Sequence, residues 1–259
     1  MLQNLSDKDG KPLLSVIIPI YNGEKFLAEA IHTVQQQNYQ PLELIVVDDG
    51  STDRTAQIAT QFEPEVRYVY QPNQGPAAAR NCGIKLAQGE FLAFLDVDDL
   101  WAERILGDFI TYLVANPDVE IVQGLIQRQQ LKIDELHRDQ SAFENVFAPY
   151  QFISLGSAIY RKSVFDKVGL FDESLWDNED TDWFLRAWEH SVSKVVLPQV
   201  MLFYRKHDRN ITLKQKKLVQ FGLVKIYKRH LDRMRDRDKG IPHSTPSISL
   251  PTYLGQSPD

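Results

Sequence analysis

Three clusters of carboxylates in this sequence have the types and spacing to do chemistry. Asp96 and Asp98 stand two residues apart directly after the apolar run Phe91 to Leu95. In an extended segment residues i and i+2 project the same way, so both carboxylates can face one point where a hard divalent cation meets diphosphate oxygens. A cation held there neutralises charge on a leaving group. The competing reading is a solvated acidic turn or a helix cap, which suits Asp99 ahead of Leu100 and Trp101. The run Asp48-Asp49-Gly50-Ser51-Thr52-Asp53 also follows an apolar stretch. A carboxylate there can accept from a base or a ribose hydroxyl, Gly50 permits the turn, and Ser51 or Asp53 can cap the next helix. Capping accounts for Ser51 and Asp53 but poorly for Asp48 and Asp49. The third cluster, Trp176-Asp177-Asn178-Glu179-Asp180, precedes a helix predicted over 181–190. The helix dipole favours a carboxylate at this end and the first turn holds it rigidly, which suits a general base taking a proton from a hydroxyl. Asp180 is the candidate, with a plain N-cap as the alternative.

Supporting groups surround these clusters. Gln71-Pro72-Asn73-Gln74-Gly75-Pro76 leads into a helix carrying Arg80, Asn81 and Cys82. The Gly-Pro entry lets that helix begin close to a ligand, and Arg80 one turn in can reach a nucleotide or pair with a neighbouring aspartate. Trp176 and Trp183 can form a stacking platform for a sugar, although Trp183 at its spacing fits the core face of the helix. His207 closes a strand and can ligate metal or touch diphosphate, with a surface histidine as the other reading. The remaining histidines, at 32, 137, 190, 230 and 243, have no spacing for a shared metal or a nucleophile triad.

Apolar periodicity supplies the elements that must position these residues. Leu14 to Ile18 and Leu42 to Val47 are continuous, β-branched runs that read as strands buried on both faces, with a helix through Phe26, Leu27, Ala30, Ile31 and Val34 between them. Further helices are expected through Ala56, Ala59 and Phe62, over 76–87, and over 103–115. Further strands are expected at 66–70, 91–95 and 119–122. This alternation argues for an open, doubly wound α/β sheet with ligands at the carboxyl ends of its strands. Residues 127–149 are polar without clear periodicity and read as an insertion or mobile loop. Order resumes at Phe152 with a short strand, a helix over 162–168, the 181–190 helix and two closing strands. Beyond Thr212 lies a basic helix, then a Pro/Ser-rich tail with too little apolar content to fold alone.

With 259 residues and 43% hydrophobic content the chain can bury a full core. Its one cysteine excludes an internal disulfide framework and a thiol zinc site, which favours the cytoplasm. The first residues, MLQNLSDKDGKP, are not a secretory signal, and no stretch reaches the ~20 apolar residues of a membrane span. Net charge is −6, yet residues 205–239 hold 13 Lys or Arg against 4 Asp or Glu. Such a segment can approach anionic membrane from the inner face, or be a solvated basic helix. A nucleic-acid partner is not expected.

The segments VIIPIYNGEKFLAEAI, LIVVDDGSTD, NQGPAAARNCGIKLAQGEFLAFLDVDDLW and GLFDESLWDNEDTDWFLRA, in this order and spacing, closely resemble family 2 glycosyltransferases over residues 13–210. The resemblance implies the GT-A fold, an open, mostly parallel α/β sheet with helices on both faces, combining a Rossmann-like nucleotide half with an acceptor half. It divides the chain into an N-terminal extension (1–12), the transferase domain (13–212), the basic helix (213–239) and a disordered tail (240–259). The domain comprises a nucleotide-sugar half (13–123), a variable insertion (124–150) and an acceptor half (151–212). By the same resemblance Pro19, Tyr21 and Asp49 would hold base and ribose with Arg80 nearby. Asp96 and Asp98 would form the D-x-D pair, Asp98 ligating Mg²⁺ or Mn²⁺ directly. Asp180 would be the base of an inverting transfer, and Glu179 and Trp176 would bind the acceptor. The donor would be a nucleotide diphosphate sugar, UDP-linked by family expectation. The acceptor would be a glycan, lipid-linked or other hydroxyl in cell-surface polysaccharide or glycoconjugate synthesis.

The chain lacks the Q-x-x-R-W motif and membrane helices of the processive synthases, so single-sugar addition is favoured. Ala102-Glu103-Arg104-Ile105 is one residue short of the usual proline-containing version, which leaves the start of that helix open. Two other classes compete. A dinucleotide-dependent oxidoreductase needs a G-x-G-x-x-G after the first strand, where PIYNGEKF stands instead. A non-catalytic nucleotide-sugar or glycan-binding protein could keep the fold, but it would not need Asp96, Asp98 and Asp180 together.

Overall fold

The computed structural model describes residues 10–132, 142–207, 216–237, 248–256 and 258. β1 (Leu14–Ile20), β2 (Leu42–Asp49), β3 (Val66–Gln71) and β4 (Phe91–Phe94) form a parallel set, alternating with α1 (Leu27–Gln35), α2 (Thr55–Ala59) and α3 (Pro76–Leu86). After β5 (Leu100–Trp101) and α4 (Ile105–Ala115) come β6 (Ile121–Lys132), β7 (Ala142–Asn145), β8 (Ala158–Arg161) and β9 (Lys194–Lys206). Helices α5 (Ser163–Val168) and α6 (Glu179–Glu189) separate β8 from β9, and α7 (Lys216–Arg237) and α8 (Leu250–Leu254) follow. The strand order is β3-β2-β1-β4-β8-β6-β9-β5, with β7 paired to β6. The expected parallel character holds through β4; β8 then enters antiparallel to both β4 and β6.

Both faces of the sheet are covered, as the unbroken apolar runs require. In β1, Val16 and Ile18 face α1 and α4, joining Leu27, Ile31, Phe109 and Leu113, while Ile17 faces the other way with Ala77, Ala79 and Ile84 of α3. On this second side α5 and α6 add Phe165, Trp183 and Phe184 around Tyr160. Burying each such side chain stabilises by roughly 1.5–3 kcal/mol. Trp183 is therefore core, and of the two tryptophans only Trp176 stays exposed. Gly83 brings α3 against β1: a Cβ there would strike Ile17.

Three expectations need correction. Residues 124–132 and 142–145 are not a structureless insertion: β6 runs on to Lys132 and pairs with β7. Beside Ile121, Val122 and Ile126 its buried positions take the polar Gln123, Gln127 and Arg128, and the two glutamine amides bond the carbonyls of Phe152 and Phe147, so the apolar pattern breaks off after Ile126. Residues 248–256 are not a disordered tail either. Ser249 caps α8, Tyr253 is buried, and the backbone pairs with Gln151 and Ile153. Residues 240–247 lie outside the described residues. Finally, α4 begins at Ile105, not Glu103, because Arg104 adopts a left-handed conformation (φ 55°) that no helix continues through.

Candidate active site

The carboxyl ends of β1, β2 and β4 lie side by side, since Ile20 is level with Asp48 and both strands run parallel with β4. This is the edge where open α/β sheets take ligands. Asp48 is buried: Oδ1 accepts from Ser51 N at 2.7 Å and Oδ2 from the Tyr68 hydroxyl at 2.7 Å. Asp49 accepts from Gln71 Nε2 (2.7 Å), Gln74 N (2.9 Å) and Gly75 N (2.8 Å). The pair thus fixes the two loops that frame the edge, and Asp49 anchors the entry to α3. Gly75 sits there at φ 93°, a region that favours glycine. Ser51 and Asp53 tie this loop to the one after β1, accepting from Asn22 N and Glu24 N, and Asp53 also accepts from Thr55 N at the start of α2. Pro19 is half-buried in β1 and Tyr21 is exposed just beyond it.

The D-x-D segment is not extended. Asp99 N donates to Asp96 O at 3.0 Å, closing a turn, and the Asp96 and Asp98 carboxylates take different protein partners. Asp96 Oδ1 accepts from Arg80 Nη2 at 2.6 Å, whereas Asp98 Oδ2 lies 3.1 Å from His207 Nε2. His207 is buried rather than on the surface, and its ring stacks on Phe26 with centroids 4.8 Å apart. Asp99 is buried and accepts from Arg205 N at 2.9 Å; burial, then Asp98 and Asp96, push its carboxyl well above the usual range. Arg205 Nε donates to Asp98 O, and Nη1 pairs with Glu29 at 2.6 Å. Phe26, Glu29 and Arg205 carried no local signal in the sequence, because each makes its contact with a segment far away in the chain.

Arg80 joins the two halves. Its buried guanidinium pairs through Nη1 with Glu179 at the start of α6 and through Nη2 with Asp96, while Nε is buried without a hydrogen-bond partner. The structure shows the carboxylate pairing of Arg80. Asp180 is not the N-cap: Asn178 holds that place in a left-handed conformation (φ 57°). Asp180 lies one turn-position inside, half-buried, with Oδ1 accepting from Thr181 N at 2.6 Å. Burial raises the Asp180 carboxyl above its ordinary range, with Arg80 pulling it back; burial likewise raises Glu179 against the same cation. α6 is held by Trp183, by Phe184 and by Arg186, which donates to Val168 O and Leu170 O. Trp176, 61% exposed, lays its indole against Gly75 at the entry to α3.

Asp98 and His207 offer an oxygen and a nitrogen donor at one point; the carboxylate suits Mg²⁺ or Mn²⁺ with phosphate oxygens completing the shell, and the imidazole nitrogen favours Mn²⁺ over the harder Mg²⁺. Among the described residues no group of three or more protein donors is gathered. Asp96 accepts from Arg80 through Oδ1 and keeps a half-exposed side chain, whereas Asp98 and His207 already meet at one point.

A two-sided α/β sheet with a carboxylate-bearing turn after β4 and acidic residues opening α6 is the GT-A glycosyltransferase fold. The chain belongs to glycosyl transferase family 2, whose family model matches residues 15–169. An uncharacterised glycosyltransferase of Rickettsia prowazekii is 35% identical over 184 residues, covering 67% of this chain and 58% of the relative. The chain thus spans less than two thirds of that relative's length. The crystal structure of S. aureus TarS 1-349 in complex with UDP-GlcNAc matches at 25% identity and a TM-score of 0.61, covering 76% of this chain and 59% of TarS 1-349. The mannosyltransferase PcManGT of Pyrobaculum calidifontis, in complex with GDP-Man and Mn²⁺, shares the fold at 20% identity and a TM-score of 0.67, covering 90% and 68% of the two chains. Among the described residues no helix is long and apolar enough to cross a membrane.

Proposed function

We propose that this chain transfers a single sugar, with inversion, from a nucleotide diphosphate sugar to an acceptor hydroxyl in the assembly of a cell-surface polysaccharide, lipid-linked glycan or glycoconjugate. The UDP-GlcNAc bound by TarS supports a UDP-linked donor. The observation that carries the reading is the Arg80 bridge, whose buried guanidinium draws the half-exposed Asp96 of the donor side and the buried Glu179 of the acceptor side into one cluster beside Asp180. An inverting transfer needs this proximity: a base beside the acceptor oxygen, facing a leaving group on the far side of the anomeric carbon.

In this reading Tyr21 and Pro19 border the base and ribose, Asp49 shapes their loop, and Trp176 offers a ring face to the acceptor. Asp180 takes the proton from the acceptor hydroxyl as its oxygen forms the new bond to the anomeric carbon and the nucleoside diphosphate departs. The raised Asp180 carboxyl makes it a stronger base than a free aspartate. Glu179 orients the acceptor through its fixed pairing with Arg80. Mg²⁺ or Mn²⁺ held by Asp98 and His207 would neutralise charge on the departing diphosphate. The site of action would be the cytoplasmic face of the membrane, with α7 as the peripheral contact.

Thermal melting with UDP, GDP and dTDP, each with and without Mn²⁺, tests the reading. UDP should raise the melting temperature in a metal-dependent way. No stabilisation by any nucleotide, with or without Mn²⁺, would count against it.

A further inference from the structure

Helix α7 has two faces of different character. Its inner face is spent on the acceptor half: Ile226 is buried with Leu175 and Leu185, and Arg229 pairs with Asp172. His230 and Arg233 hold the buried Glu189 of α6 at 2.5 and 2.6 Å. On the outer face Val224, Tyr227, Leu231 and Met234 are 68%, 63%, 36% and 36% exposed. Their spacing of three and four residues makes one continuous apolar stripe. Lys228 and Arg235, both exposed, run along its edge, with the exposed Asp232 3.7 Å from Arg235.

We propose that this stripe is the seat on which the protein lies in the interface of an anionic phospholipid bilayer. Apolar side chains of such a helix enter the boundary between headgroups and acyl chains, and the flanking cations meet the lipid phosphates. Tyr227, an apolar ring with a polar tip, suits that depth. Charge argues for an anionic surface over a second copy of the chain: Lys228 and Arg235 outnumber Asp232 along this edge, and a second copy would bring the same positive excess, whereas an anionic surface complements it. The inference rests on the peripheral contact proposed above and changes its basis. Arg229, His230 and Arg233 are committed to carboxylates of the acceptor half, so the apolar stripe rather than the helix's total charge makes the contact. Because α7 is strapped to α6, which opens with Glu179 and Asp180, the lipid surface and the candidate base are fixed relative to one another. That arrangement serves an acceptor presented at the membrane.

Flotation of the full chain with phosphatidylcholine vesicles, with and without phosphatidylglycerol, tests this. The parent should float with phosphatidylglycerol vesicles at low salt, and Tyr227→Glu/Leu231→Glu should reduce recovery at least about tenfold. Lys228→Glu/Arg235→Glu should do the same through charge. Melting temperatures of both variants should match the parent; if the first melts early, Leu231→Gln, which adds no charge, takes its place. Equal recovery of parent and variants, or failure of the parent to float, overturns the proposal. So does sedimentation showing a parent dimer that Tyr227→Glu/Leu231→Glu disperses, which assigns the stripe to a second copy. Metal-dependent UDP stabilisation, measured without vesicles, should be unchanged in these variants; its absence from the parent would sink the transferase reading and leave the membrane one standing.

Discussion

His207 Nε2 stands 3.1 Å from Asp98 Oδ2, across 109 positions of the sequence and inside a wall made by Phe26 and Arg205. The histidine arrives at the end of β9, and the aspartate sits in the turn after β4. Two donors of different softness are thereby held at one point by packing rather than by local sequence, which is how a metal ligand is pre-oriented.

If these two groups hold the cation, each should be required for nucleotide binding that depends on metal. UDP at about a hundred times its Kd contributes ~2.7 kcal/mol of stability. Asp98→Ala and His207→Ala should each remove the Mn²⁺-dependent part of the melting shift and leave any metal-independent part. A full shift in His207→Ala would return the histidine to a packing role.

Arg80 sets up a pH test. The base must be deprotonated to act, so a raised Asp180 carboxyl places the acid limb of the rate profile above the usual aspartate range. Arg80 opposes that rise. Arg80→Gln removes the opposing charge and should move the acid limb to higher pH, with activity lost earlier as pH falls. The same change leaves Glu179 buried without its cation, which costs roughly 3–5 kcal/mol when one partner of a buried pair is deleted. Rate profiles below the melting temperature of the variant separate the two effects. An unmoved acid limb would show that Asp180 does not sense Arg80.

Lys194 allows a check on the docked C-terminal segment. Its Nζ donates to Gln123 Oε1 at 2.8 Å and to the Tyr253 carbonyl, and burial lowers its pKa from 10.5 to about 8. A folded-state pKa below the unfolded one means the unfolded chain binds more protons between the two values. Stability from this group therefore rises as pH climbs from about 8 towards 10.5 and is lost as pH falls back through 8. Denaturant melts across that window should show the rise in the parent and its absence in Lys194→Met. Equal slopes would remove the lysine from the interface.

Much of this architecture was legible because burial leaves a simple mark. Leu14 to Ile18, Leu42 to Val47 and Phe91 to Leu95 are apolar on both faces, and each is a strand between two layers of helix. The placement of Asp49 and Asp96 at strand ends was legible, because each directly follows or closes a buried apolar run. The site's geometry was not legible where a turn replaced an assumed extension: the i, i+2 argument for Asp96 and Asp98 fails once Asp99 N closes on Asp96 O. Nor could spacing reveal that Arg80 spans to Glu179, since their contact is made by the packing of α3 against α6. The 142–145 strand and the 248–256 segment were missed for a related reason. Their backbones find partners in Gln129 to Lys132 and in Gln151 to Ile153, and hydrogen bonds of that kind leave no apolar period. Ser249 with Pro251 in the first turn was a readable helix start within an otherwise loop-like composition.

Asp180 separates an enzyme from a binding protein on the same fold. Asn178 occupies the N-cap position, so Asp180 is free of that duty, and its main protein contact is the Thr181 amide accepted by Oδ1. Asparagine keeps a carbonyl oxygen for that bond and nearly the same volume, so Asp180→Asn should fold normally and bind donor and metal as the parent does. What it loses is the group able to take the acceptor proton. General-base catalysis is typically worth ~10² to 10⁴-fold, or about 3–5 kcal/mol of barrier. With donor saturating, kcat should fall by at least about two orders of magnitude while the UDP-dependent melting shift stays put. Glu179→Gln, which breaks the charge pairing with Arg80, should instead raise the acceptor KM and lower the melting temperature. If Asp180→Asn turns over within about threefold of the parent, the base is elsewhere in the cluster and Glu179 inherits the role. If both variants keep full turnover, the acidic start of α6 serves structure alone, and proton removal must be assigned outside it.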